Sequence, residues 1–181
     1  MVLVLAGAFL LLIASLVIGS FSTPEFPPYP VTQGAATPSP DGSATYTLDA
    51  SQGDRWRRFH FASNALVESG AWDVAFRRNH IVVAAGAGAQ DLGAVSFDTV
   101  TEVPIEGYVA TSFGPDTVNA GIGKWYDYSM FSHLLSSKHH VYAVRTADRQ
   151  FAVFEVLAYY CRDVGAACYT MRYKKARPRT N

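Results

Sequence analysis

The apolar and polar positions divide the chain into three unlike stretches. Met1 to Gly19, MVLVLAGAFLLLIASLVIG, carries no ionisable side chain. A helix of that length rises about 28 Å, which is close to a bilayer core, so the pattern predicts a transmembrane helix over 1–19. Residues 20–44 hold Pro24, Pro27, Pro28, Pro30, Pro38 and Pro40, six of the nine prolines in the chain. Proline fixes φ and lacks an amide proton, so this stretch reads as a Pro-rich linker with an extended, semi-rigid spacer at FPPYP. Beyond it come short runs rich in Val, Tyr, Phe and Trp, separated by turn residues, as expected of β-strands. The runs predict strands near 45–49, 56–62, 72–77, 81–85, 125–130, 141–145, 151–160 and 169–173. The spacing of Trp125, Tyr128, Leu134 and Leu135 also allows a helix, but consecutive aromatics favour extended structure there. The fold class is therefore mainly β: a single antiparallel β domain over 45–173, preceded by one helix and followed by a basic tail at 174–181.

Charge refines this layout. Fifteen Lys and Arg balance fifteen Asp and Glu, so no global field favours nucleic acid. The balance is uneven along the chain. Residues 1–50 carry only Glu25, Asp41 and Asp49, whereas the last ten residues hold Arg172, Lys174, Lys175, Arg177 and Arg179 without an acid. That end suits anionic lipid or an acidic partner. The apolar segment has no basic n-region and is longer than the core of a usual signal peptide, so it is expected to stay attached as a signal anchor. Ala8, Ser15 and Gly19 fall near one helical face, and Ser15 with Gly19 forms a small-xxx-small pair suited to helix packing. The expected location is a bacterial inner membrane, crossed once, with the C-terminal domain in the periplasm.

Cys161 and Cys168 flank Arg-Asp-Val-Gly-Ala-Ala between two strand-like runs, on what reads as opposite arms of one hairpin. A disulfide in an oxidising compartment and two free buried thiols both remain open. Two thiolates are too few for a zinc site. The chain has no GxSxG elbow, no HExxH helix, no phosphate-binding loop and no carboxylate pair spaced for acid/base work, so no enzyme is expected. Asp73, Asp127 and Glu155 lie within β runs and are expected to pair with Arg77, Arg145 or Arg172 or to line a polar sheet face. Gly86, Gly88 and Gly93 do not space as a dinucleotide loop and read as a flexible surface loop. The adjacent His139 and His140 read as a polar turn.

The run AWDVAFRRNHIVVAAGAGAQDLGAVSF (71–97), with WYDYSMFSHLL (125–135), VYAVRTADRQFAVFEVLAYY (141–160) and YTMRY (169–173), resembles the HmuY family of exported, β-rich bacterial haem-binding proteins. The resemblance covers roughly 55–173 and lies in the order of the motifs. It implies an HmuY-like domain. Arg149, in the Thr146-Ala147-Asp148-Arg149 hairpin, stands where the family often has Gly. The family's iron is held by two side chains, histidine or methionine, and the resemblance directs attention to His60, His80, His133, His139, His140, Met130 and Met171. His133, in the FSHLL run, is the first choice of haem axial ligand and His80, beside the Gly-rich loop, the second. The family is usually secreted or anchored through a lipid-bearing cysteine, whereas this chain has no cysteine before Cys161.

Two functions are thus expected. The first is a non-catalytic accessory subunit of a photosynthetic or respiratory membrane complex, with integral membrane subunits and lipid as partners and no cofactor. The alternative is a membrane-tethered haem-binding protein, with haem as cofactor.

Overall fold

The computed structural model describes residues 2–179. Met1 of the apolar segment and residues 180–181 of the basic tail lie outside the described residues. The chain begins with helix α1 (Val2–Gly19) and continues through thirteen strands: β1 (Ala44–Asp49), β2 (Arg57–His60), β3 (Ala65–Val67), β4 (Val74–Arg77), β5 (His80–Val83), β6 (Gly88–Asp91), β7 (Glu102–Val103), β8 (Tyr126–Tyr128), β9 (Leu135–Ser137), β10 (Val141–Arg145), β11 (Phe151–Cys161), β12 (Gly165–Lys175) and β13 (Arg177–Pro178).

The frame is a five-stranded sheet in the order β1-β12-β11-β10-β6, with every neighbour antiparallel. Its spine is the long hairpin of β11 and β12, 11 residues each. A second antiparallel sheet, β3-β2-β4-β5, lies against it. Tyr46, Phe59, Phe76, Val83, Phe154 and Met171 come from both sheets and share one buried cluster. The aromatic side chains interlock edge to face; Phe59 meets Tyr46 at 4.8 Å and Tyr173 at 5.0 Å between ring centroids. Each large apolar side chain in this layer contributes roughly 1.5–3 kcal/mol by leaving water.

The opposite face of the long sheet is also covered. Val141, Ala143 and Val153 pack with Phe97 and Val103 in a second cluster, while Tyr142, Val144 and Phe154 face the first. Side chains alternate across a strand, so a sheet buried on both faces needs apolar residues at consecutive positions. This is why VYAVR and FAVFEV read as continuous apolar runs.

Several segments differ from the sequence expectation. The Gly-rich stretch is not a surface loop: Ala87, Gly88 and Ala89 are buried, and β6 pairs with β10. Gly88 is needed because a Cβ there would stand 2.7 Å from Cβ of Tyr108. The Pro-rich stretch does not hang free either. Thr32 N–H donates to Thr47 O, Ala36 N–H to Asn64 O, and Tyr46 Oη to Gly34 O. Lys174 and Lys175, assigned above to a basic tail, end β12, and β13 forms a short parallel pair with β7.

The N-terminal helix requires a correction. Among the described residues no helix is long and apolar enough to cross a membrane. The expected transmembrane helix and single-pass inner-membrane location are therefore not supported. What α1 presents is an exposed apolar surface, from Val4 through Ile18.

Two local features carry measurable energy. Cys161 and Cys168 are joined by a disulfide across the end of the long hairpin, with Cα atoms 5.5 Å apart. A loop this short is worth about 2 kcal/mol through the entropy it removes from the unfolded chain. Replacing both cysteines by serine is expected to lower the unfolding free energy by about that amount in urea melts under oxidising conditions. Arg149 closes the β10–β11 turn at φ 62°, a left-handed backbone that costs a side-chain-bearing residue about 1 kcal/mol over glycine. Arg149→Gly is expected to raise stability by up to about 1 kcal/mol, read as a higher urea midpoint at unchanged slope.

Candidate functional site

The hairpin of β8 and β9 stands outside both large sheets and is fixed at its root. Trp125, directly before β8, is fully buried. Its ring packs on Tyr159 at 5.3 Å and Tyr169 at 5.2 Å, and its indole N–H donates to Asn79 O at 3.0 Å. Lys138 N–H donates back to Trp125 O at 3.1 Å. On the other arm, Leu135 N–H donates to Tyr160 Oη at 2.9 Å and Ser137 Oγ–H to Val156 O. A rigid base therefore carries a short, exposed tip.

The tip runs from Ser129 to Leu134. Ser129 N–H donates to Leu134 O and His133 N–H to Ser129 O, both at 2.9 Å, while Ser132 N–H bonds Ser129 Oγ at 3.1 Å. His133 sits in the left-handed region at φ 57°. Met130 and Phe131 are 66% and 55% exposed. His133 Nδ1 is hydrogen-bonded to the Tyr128 hydroxyl. This contact occupies one ring nitrogen and leaves Nε2 for a ligand. An imidazole binds metal through an unprotonated nitrogen, so the useful tautomer has Nδ1–H donating to the Tyr128 oxygen.

Beside the hairpin lies an open cleft of about 690 Å³, lined by Arg78, Lys124, Lys138, Tyr126, Tyr128 and Tyr159 among others. Asn79 reaches across it to donate to Tyr126 Oη at 3.1 Å. Three cations meet a wall of phenol rings here. Lys138 is 3.9 Å from Asp127, a loose ion pair, which leaves the cleft net positive. Burial pushes the Tyr159 phenol up to about 12. On the other side of β9, a second cleft of about 620 Å³ is walled by Thr23 to Pro28 and by Leu157 to Tyr160. The proline segment is thus laid along the base of the hairpin.

The remaining sequence candidates separate in space. His80 opens β5 opposite Arg77, and neither it nor His133 is among the residues that line the cleft; His133 reaches it only through its bond to Tyr128. His60 Nδ1 lies 3.2 Å from Ser63 Oγ. His139 and His140 turn to different strands: His139 Nδ1 is 3.0 Å from Glu155 Oε1, and His140 Nδ1 is 2.9 Å from Asp91 Oδ2. Met171 is buried in the main core. Among the described residues no three His, Cys, Asp or Glu side chains gather to hold a metal ion. Of the small residues on α1, Gly19 makes a close contact, but with the chain's own tip: a Cβ there would lie 2.3 Å from Phe131 O. Ser15 Oγ–H bonds Leu12 O, and Ala8 is exposed.

The acids are engaged structurally. Glu155, buried, accepts from Arg172 Nε at 2.8 Å, and the Arg172 guanidinium lies over the Phe97 ring at 4.4 Å. Asp73 accepts Phe61 N–H at 2.7 Å. Desolvation raises the Asp73 carboxyl above its ordinary range.

Sequence reasoning placed the Trp-Tyr-x-Tyr strand but did not single out Arg78, Lys124 and Lys138, which line the cleft. They come from three separate segments, and only the fold gathers them. The period-two spacing of Tyr126 and Tyr128, which sets both on one strand face, was the available signal.

No protein-family model matches the chain, and no curated protein matches it. Solved structures do. An HmuY-like haem-binding candidate from Bacteroides vulgatus superposes with a TM-score of 0.66 at 18% identity, over 79% of this chain and 97% of that one. A lipoprotein candidate from Bacteroides fragilis gives 0.65 at 16% identity, over 78% and 95%. The apo form of an HmuY analogue from Tannerella forsythia gives 0.60 at 14% identity, over 82% and 99%. The alternation of strands around one aromatic core, the long closing hairpin and these superpositions together show that the chain has the HmuY-like fold.

Proposed function

We propose that this chain is a non-catalytic binding protein for a haem-type tetrapyrrole, held against the β8–β9 hairpin with His133 toward the iron. The observation that carries the reading is the exposed tip on which Tyr128 engages His133 Nδ1 and leaves Nε2 for a ligand, beside a cationic, aromatic cleft. Haem is a planar apolar ring with two carboxylates. Its ring suits the walls offered by Tyr126, Tyr128 and Tyr159, and its carboxylates suit Lys124, Lys138 and Arg78. When bound, the group supplies an iron centre that takes a nitrogen or sulfur ligand. Tyr128 orients the imidazole, Trp125 fixes the hairpin's position, and Met130 is a second donor on the same tip.

The fold favours this reading over an accessory subunit of a photosynthetic or respiratory complex, because two of the structures it superposes on are described as HmuY-like or HmuY analogues. The Cys161–Cys168 disulfide supports an oxidising, extracytoplasmic setting. That setting agrees with the lipoprotein candidate among the relatives. The exposed apolar side chains of α1 would then associate the protein with a membrane surface without spanning it.

Titration of the full chain in non-ionic detergent with hemin is expected to give a one-to-one complex with a shifted Soret band. His133→Ala is expected to abolish that shift, and Tyr128→Phe to weaken binding about tenfold by freeing the ring. Loss in Met130→Ala but not in His133→Ala would move the iron ligand to sulfur. A hemin spectrum that the protein leaves unchanged would refute the reading. A double Lys124→Gln, Lys138→Gln variant is expected to bind several-fold more weakly, with a smaller salt dependence.

A further inference from the structure

A separate cleft lies at the other pole of the long sheet. Phe151 begins β11 and Tyr159 sits beside the hairpin, so the two poles are about 26 Å apart along the strand. At the Phe151 end an open cleft of about 580 Å³ is lined by Arg145, Arg149, Phe151, Ile105, Ala147 and Pro178, with Gly86 at its edge. Arg145 ends β10 and is paired in register with Phe151. Its guanidinium lies 5.5 Å from the centre of the Tyr108 ring, and that ring packs on Phe151 at 5.8 Å.

Neither Arg145 nor Arg149 has a carboxylate within ion-pair distance among the described residues. The nearest acid in sequence, Asp148, is turned back onto the Thr146 hydroxyl. Arg177 and Arg179 flank Pro178 and add positive charge, against Glu102 and Glu106 on the neighbouring segment. Arg149 holds its place at φ 62°, where glycine is preferred. Side chains kept at such a backbone cost cluster at functional positions. The rest of the cleft lining is largely apolar, with Phe151, Ile105 and Pro178.

We infer that this cleft binds an oxyanion, carboxylate or phosphate, carried on a compact apolar or aromatic body. The anion would lie between the planar forks of Arg145 and Arg149, which can each donate two hydrogen bonds to it. The body would rest on Phe151 and Ile105. No atom of the hairpin cleft takes part, so the site stands whether or not the tip binds haem.

The full chain in non-ionic detergent, titrated with phenyl phosphate at constant ionic strength and followed by isothermal calorimetry and thermal melting, tests this. Wild-type protein is expected to bind with a millimolar or tighter constant and to melt higher with ligand. Arg145→Gln and Arg149→Gly should each weaken binding at least fivefold, while Arg162→Gln, an exposed arginine in the β11–β12 turn, should not. Arg149→Gly is the decisive variant because it is expected to melt higher than wild type without ligand yet to gain less from it, which excludes misfolding as the cause. Phenylacetate in place of phenyl phosphate separates carboxylate from phosphate, and binding of either supports the site. Equal affinity in both variants and wild type, or no greater affinity for either aromatic anion than for chloride, overturns it.

Discussion

The packing of Trp125 against Tyr159 and Tyr169 holds the two parts of this molecule in one frame. Tyr159 and Tyr169 belong to the two arms of the long hairpin, whereas Trp125 belongs to the base of the short one. The indole N–H reaches Asn79, at the turn between β4 and β5. One side chain therefore touches the five-stranded sheet, the four-stranded sheet and the protruding hairpin. With the bonds of Leu135 to Tyr160 and of Ser137 to Val156, it fixes the root of the hairpin whose tip carries His133. The energy lies in burying a large aromatic surface and in satisfying its one polar atom, both of which depend on the same position.

This arrangement separates stability from chemistry. The aromatic core and the ladder of β11 with β12 need nothing from the exposed tip, where Met130, Phe131 and His133 sit at a cost in solvated apolar surface and left-handed backbone. Binding groups held at the margin of a rigid scaffold are a common way to keep a ligand site open to a large, flat molecule. The contact between Gly19 and Phe131 brings the N-terminal helix to the same tip. The apolar helix and the site thus share one end of the molecule, while the arginine cleft lies at the other.

Much of the fold was legible in the sequence, and the failures have physical causes. β10, β11 and β1 were legible because long runs of β-branched and aromatic residues have few other uses. β6 was not, since GAQD carries no apolar alternation; Gly88 stands there because a Cβ would meet the Cβ of Tyr108. β3, β9 and β13 are two or three residues long and are defined by their partners. The Pro-rich stretch was read as free spacer because prolines donate no hydrogen bond, yet Ala36 packs on the core and Thr32 bonds its way along β1. At the site, His133 stood out by its motif. The cations of the cleft did not, since Arg78, Lys124 and Lys138 become neighbours only when the hairpin folds over the β4–β5 turn.

The central claim is that His133 presents a free nitrogen to a haem iron at a fixed hairpin tip. Electron paramagnetic resonance of the ferric hemin complex, prepared with protein carrying nitrogen-15 histidine, reads that contact at the metal. The account predicts an isotope-sensitive hyperfine coupling from one imidazole nitrogen, absent in His133→Ala. A ferric signal with no histidine coupling would contradict it.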